Sequence, residues 1–139
     1  GDVLISRANV VRYVGACVYV ESTPPKLLLC DKIFRVRFHA NGPLLPRFLA
    51  EAMKLRPVRE YIESRLTGTS PTMKNISKPA LLDIRFPLPD PDTQQRLVDD
   101  IGSSRASAVA KRTEAATLCQ SAWAQFETAL FTAADAREA

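Results

Sequence analysis

Two hydrophobic textures divide the chain. Up to about residue 91, apolar residues come in short runs cut by proline, glycine and polar turns. From residue 92 on they recur every three or four positions, with no proline and a single glycine, Gly102. The first texture predicts short strands and helices, and the second predicts one long helix.

Within the first part, GDVLISRA alternates, with Val3 and Ile5 on one face and Leu4 on the other. VGACVYV, residues 14–20, is rich in β-branched residues and stops at Glu-Ser-Thr-Pro-Pro, so it reads as a second strand. In KLLLCDKIFRVRF the apolar Phe34, Val36 and Phe38 alternate with Arg35 and Arg37, which turns the two arginines outward. Asn41-Gly42-Pro43 is a turn. Leu45, Phe48, Leu49, Ala52 and Met53 then have helical spacing. Pro57 opens a second short helix with Val58, Tyr61, Ile62 and Leu66 on one side, which Gly68 can end in the left-handed region. ALLDIRFPLP reads as a last strand, closed by Pro87, Pro89 and Pro91.

Asp92 or Thr93 can cap the long helix. Its 4-3-4-3 positions include Leu97, Ile101, Ala108, Ala115, Leu118 and Ala122, and a neighbouring seam carries Trp123, Phe126 and Leu130. About 40 helical residues span about 60 Å. A domain of some 90 residues cannot cover that length, so these residues are expected to pack on a second long helix. The expected fold is α+β: a small mixed β-sheet domain with short helices at 1–91, then a long helix at 92–139 that pairs in a coiled coil.

Charge follows the same division. Residues 1–91 hold 14 Lys and Arg against 8 Asp and Glu, a net of +6, whereas residues 92–139 hold 5 against 7, a net of −2. A basic excess confined to one part suits a polyanionic partner; a solvated basic surface would look the same. Cys17, Cys30 and Cys119 are scattered, with no C-x-x-C pair, and His39 is the only histidine. The cysteines read as buried small hydrophobes in a reducing cytoplasm rather than as zinc ligands. No apolar run reaches a membrane span, and no signal-peptide pattern opens the chain, which starts at Gly1 and reads as a piece of a longer protein.

Catalytic patterns are sparse. GTSPTMK lacks the second glycine of a phosphate loop, no G-x-S-x-G elbow exists, and His39 sits in a turn context. Asp99 and Asp100 are adjacent and diverge on a helix; Asp31-Lys32 and Asp83-x-Arg85 read as ion pairs. No cofactor or metal is expected.

Five stretches in order resemble one family: GDVLISRAN, LLLCDKIFRVRF, GTSPTMKNIS, LLDIRFPLPDPDTQQRLVDDI and AWAQFETALF. Together they are similar to the specificity subunits of type I restriction-modification enzymes. There the pattern runs close to G-D-x-L-[ILV]-S-[KR], D-K-x-x-R-[LV], G-[TS] with a polar loop, and P-L-P-P-x-x-E-Q-x-x-I opening a long helix. Here Gln94-Gln95 stands where Glu-Gln is usual, and Asp90 where proline is frequent.

The resemblance implies a target-recognition domain that reads half of a split double-stranded DNA site, followed by a spacer helix that pairs with a second one. It implies a non-catalytic cytoplasmic subunit that directs methyltransferase and restriction subunits to the site. It also implies a recognition unit that begins some tens of residues earlier. On this reading Lys74 and Asn75 suit phosphate contact and base reading, with Thr69, Ser70, Thr72 and Ser77 around them. Arg7 and Asn9 are the next candidates, and Arg12, Arg35 and Arg37 would add phosphate contacts. Two other readings stay open: the C-terminal recognition domain of a fused restriction-methylation enzyme, and a helix-mediated interaction protein that does not bind DNA.

Overall fold

A computed structural model describes residues 1–70 and 72–138, with side chains up to Thr132. Pro71 of the polar loop and Ala139 at the end of the long helix lie outside the described residues. The chain forms two compact units, Gly1–Val98 and Asp99–Ala139.

In the first unit five strands pair in two antiparallel sheets. β1 (Val3–Ser6) is the centre of a three-stranded sheet; β2 (Ala8–Asn9) leaves it after Arg7. β3 (Cys17–Tyr19) and β4 (Ile33–Val36) flank β1, and β5 (Lys74–Asn75) pairs with β2. The register opposes Leu4 to both Val18 and Arg35, and Ile5 to both Cys17 and Phe34. Opposed residues share a face. The Leu4–Val18–Arg35 face therefore looks outward, while Val3, Ile5 and Cys17 enter the core and Phe34 and Val36 pack at its margin. The outward turn of Arg35 and Arg37 follows from the alternation.

Helix α1 (Pro46–Ala52) packs across β3 and β1, and α2 (Arg56–Ser64) follows it. Both open with proline in the first turn, where its missing N–H would have had no helical partner. Leu49, Ala52, Met53, Val58 and Ile62 are buried, with Phe48, Tyr61 and Leu66 half-buried beside them. The strand expected over 14–20 is shorter, because Gly15 turns the chain at φ +75° before β3. A Cβ there would sit 2.7 Å from Cδ1 of Ile62. Glycine is thus required both by the backbone conformation and by the close approach of α2.

Several expectations need correction. ALLDIRFPLP is not a strand: α3 (Lys78–Leu82) replaces its start, Asp83 caps that helix, and the rest joins no strand. Oγ of Ser77 accepts from the Ala80 N–H at 3.2 Å, Pro79 sits in the first turn, and Ala-Leu-Leu continues the helix. A short apolar run suits either period, and the cap decides. Gly68 does not end α2, which stops at Ser64 with Arg65 as its C-cap. Its φ of +105° instead opens the loop of a hairpin, where a Cβ would lie 2.8 Å from the Met73 carbonyl oxygen. Of the three cysteines only Cys17 is buried. Cys30 is exposed because it precedes β4 in an irregular segment, and Cys119 because it lies on the uncovered seam of the long helix.

Helix α4 (Pro91–Glu138) runs for 48 residues. Its cap is Asp90 rather than Asp92 or Thr93: Oδ1 accepts from the Thr93 N–H at 3.0 Å. The backbone and side-chain hydrogen bonds from Thr93 hold the Asp90 carboxyl below its ordinary range. Pro91 then occupies the first helical position.

Gln94, fully buried, anchors this helix start. Its Oε1 accepts from the Leu45 N–H at 2.9 Å, and its Nε2 donates to the carbonyls of Pro43 and Pro89, each at 2.7 Å. One side chain thereby fixes the turn before α1, the proline segment and the start of α4 to each other. In the second unit the described side chains are exposed, among them Ile101, Val109, Leu118, Trp123, Phe126 and Leu130.

Candidate nucleic-acid interface

The pairing of β2 with β5 joins the two stretches singled out in the sequence. Ala8 opposes Asn75 and Asn9 opposes Lys74. The Ile76 N–H donates to the Arg7 carbonyl at 3.0 Å, extending the pairing by one residue. Ile76 itself is buried in the core and pins the ribbon from below. On its other side Asn75 pairs with Thr67 through two backbone hydrogen bonds of 2.9 Å, which closes the hairpin. Residues 68–70 and 72–73 lie in its loop.

Each candidate has a definite setting. Lys74 Nζ donates to the Gly68 carbonyl at 2.7 Å, so the ammonium ties the loop's two ends together. Asn75 is half-buried, and its carboxamide makes no hydrogen bond to a described residue. Ser70 and Thr72 join their hydroxyls at 3.0 Å across the loop, and Thr69 is exposed. Ser77 caps α3, which gives its oxygen a structural task. Asn9 accepts from the Val10 N–H through Oδ1 at 2.8 Å, leaving its amide N–H groups outward. Arg7 donates to the Asp31 carbonyl at 3.2 Å and lies 5.9 Å from the centre of the Phe34 ring.

Arg12 follows β2 in a 3₁₀ turn (Val11–Tyr13), with its guanidinium 4.4 Å from the centre of the Tyr13 ring. Sequence reasoning missed what holds that turn. Arg59 on α2 donates from Nη1 to the Val14 carbonyl at 2.7 Å and from Nη2 to the Arg12 carbonyl at 3.3 Å. The available signal was Glu63, one helical turn on, which pairs with Arg59 at 3.5 Å. Arg35 and Arg37 are not on this ribbon. Arg35 is on β4 and pairs with Asp2 at 3.5 Å; Arg37 follows β4 and is exposed. Neither Asp31–Lys32 nor Asp83–Arg85 forms an ion pair among the described residues.

Ion pairing sorts the basic excess. Arg35, Arg47, Lys54, Arg56 and Arg59 each have a carboxylate partner. Arg7, Arg12, Lys26, Lys32, Arg37, Arg65, Lys74, Lys78 and Arg85 have none among the described residues. Six of these nine fall within residues 7–12 and 65–85, the segments that contain β2 and β5. Among the described residues no group of His, Cys, Asp and Glu is arranged to hold a metal ion, and no helix is long and apolar enough to cross a membrane. What the ribbon offers is exposed guanidinium groups, hydroxyls and carboxamides. That chemistry contacts phosphate and base edges.

No family model matches the chain, and no solved structure matches it. Over 102 residues, 73% of its length, it is 28% identical to the specificity subunit of the type I restriction enzyme EcoEI of Escherichia coli. The matched stretch is 17% of that protein, so the chain spans less than a fifth of this relative. In sequence, then, the chain is similar to a type I restriction enzyme specificity subunit, as its ordered motifs indicated.

Proposed function

We propose that this chain is a DNA-recognition unit of a cytoplasmic type I specificity subunit. It reads one half of a bipartite double-stranded site and has no chemistry of its own. The observation that carries this reading is the β2–β5 pairing, which sets the stretch carrying Arg7, Asn9 and Arg12 beside Lys74 and Asn75. The similarity to the EcoEI subunit supports it at the level of the family. Arg7 and Arg12 contact backbone phosphates. Asn75, with an uncommitted amide and carbonyl, is suited to the paired donor and acceptor of adenine. Lys74 and the Ser70–Thr72 hydroxyl pair shape the loop that presents it. Residues 92–139 act as the spacer helix, which pairs with a second copy or a second recognition unit and offers a frame to methyltransferase and restriction subunits.

Duplex binding by the chain tests this, followed by fluorescence anisotropy across a salt series. Wild-type affinity falls linearly in log–log form as salt rises, because bound phosphates release counterions. Arg7→Gln combined with Arg12→Gln weakens binding about tenfold and flattens the slope by about 2, close to 0.9 for each phosphate no longer neutralised. A wild-type chain that ignores duplex DNA at low salt would falsify the reading.

A further inference from the structure

Arg65 and Arg85 stand at the two ends of the segment that carries the loop. Arg65 is the C-cap of α2, just before the hairpin, and Arg85 lies three residues beyond α3. With Tyr61 and Asp83 they line one pocket of about 350 Å³ at the exposed surface. Its floor is firm. Leu66 and Ile84, each next to one arginine in the chain, pack against the core together with Tyr61. The Arg65 N–H bonds to the Ile62 carbonyl at 3.0 Å.

Two guanidinium groups share this pocket without a salt bridge. Asp83 lines it too, yet pairs with neither among the described residues. Elsewhere on α2 the cations are matched: Arg56 with Glu60 at 2.7 Å, and Arg59 with Glu63. Arg65 has a ring instead, its guanidinium 5.4 Å from the centre of Tyr61. Stacking of this kind pre-orients the planar fork while leaving its N–H edge for an anion. Two like charges that line one pocket favour an anion that bridges them, and arginine matches tetrahedral oxyanions in a bidentate way.

We propose that this pocket is a second DNA contact, in which Arg65 and Arg85 together hold one backbone phosphate at the base of the loop. The proposal rests on the DNA-recognition reading and adds a contact that fixes the loop's register on the duplex. It reads no base. Asp83 is a brake on it, since its carboxylate repels the same phosphate.

The test uses the 139-residue chain and a mixed-sequence duplex of about 30 base pairs, long enough for one protein at the contact density of a typical site. Arg65→Gln with Arg85→Gln weakens binding about fivefold to tenfold and flattens the salt slope by about 1, one phosphate's share. Arg56→Gln, which removes an ion-paired arginine of the same helix, leaves the slope unchanged. Asp83→Asn tightens binding at low salt. Circular dichroism melts confirm that each variant stays folded. If the double variant binds with wild-type affinity and slope while Arg7→Gln and Arg12→Gln weaken binding, the pocket is not a phosphate site and the recognition reading stands. If wild type does not bind duplex at all, both fail.

Discussion

Gln94 does with one carboxamide what usually takes several side chains. It is buried, and its oxygen and nitrogen together satisfy three backbone groups from two other segments. Replacing it by leucine keeps the volume but orphans the Leu45 N–H and the carbonyls of Pro43 and Pro89. An unsatisfied buried group costs about 1–3 kcal/mol. Gln94→Leu is therefore expected to lower unfolding free energy by about 3 kcal/mol in urea titration. A loss under about 1 kcal/mol would mean that water reaches all three groups. Cys17 shows burial acting on chemistry. Desolvation pushes its thiol up to about 11 from an ordinary 9.0, with opposing pulls from Lys54 and Glu51. The neutral thiol is thus favoured by folding, and its contribution is fully present below pH 9.0. It declines as pH rises through 9.0 towards about 11, because only the unfolded thiol ionises readily there. At neutral pH, in protein too dilute to self-associate, iodoacetamide should label the exposed Cys30 and Cys119 and spare Cys17 until denaturant is added. Equal labelling of all three, read by mass spectrometry, would contradict the buried setting.

At the scale of elements, what was legible in the sequence depended on how much local pattern each element has. Strand β1, the outward Arg35 of β4 and Arg37 just after it, the two proline-opened helices and α4 each show several turns or alternations of consistent period, and the structure has them. The run from Ala80 to Phe86 shows less than two helical turns. There Ser77 and Pro79 chose a helix over the expected strand, a cap effect invisible to hydrophobic spacing. Gly15 and Gly68 illustrate a second limit. Their positive φ serves close approaches to Ile62 and Met73, residues distant in the chain or across a turn, which no local window contains. The candidate interface was half legible. The residue types in 7–12 and 68–77 drew attention by themselves. Their apposition needed the β2–β5 pair, only two residues long on each strand and too short to leave a periodic signal. The pocket between Arg65 and Arg85 was hidden for the same reason: the two arginines line it together only because the hairpin and α3 return between them.

The molecule as a whole separates its two surfaces by unit. The unit Gly1–Val98 concentrates unneutralised cations, whereas the unit Asp99–Ala139 exposes an apolar seam. Val109, Ala116, Cys119, Trp123, Phe126 and Leu130 follow a three–four spacing that Arg112 alone interrupts. Trp123 and Phe126 meet edge to face with centroids 5.8 Å apart, and together with Cys119 and Ala122 they form a shallow apolar groove. Nearby hydroxyls are already spent on their own helix: Thr113, Thr117 and Thr128 each donate to the carbonyl four residues back. A seam with satisfied polar groups and large exposed apolar groups is built to be covered. Burial of each large side chain is worth about 1.5–3 kcal/mol. Trp123, Phe126 and Leu130 on two helices therefore offer enough to offset a large part of the association cost. The chain is expected to self-associate through α4 at tens of micromolar, consistent with a typical interface of this character. Trp123 is the only tryptophan, so its emission shifts to the blue as concentration rises. Sedimentation then gives twice the monomer mass of 15.4 kDa. Trp123→Glu with Phe126→Glu keeps the helix, by far-ultraviolet circular dichroism, and yields a monomer. A wild-type chain that sediments as a monomer with red, concentration-independent emission would show that the seam waits for a different helix.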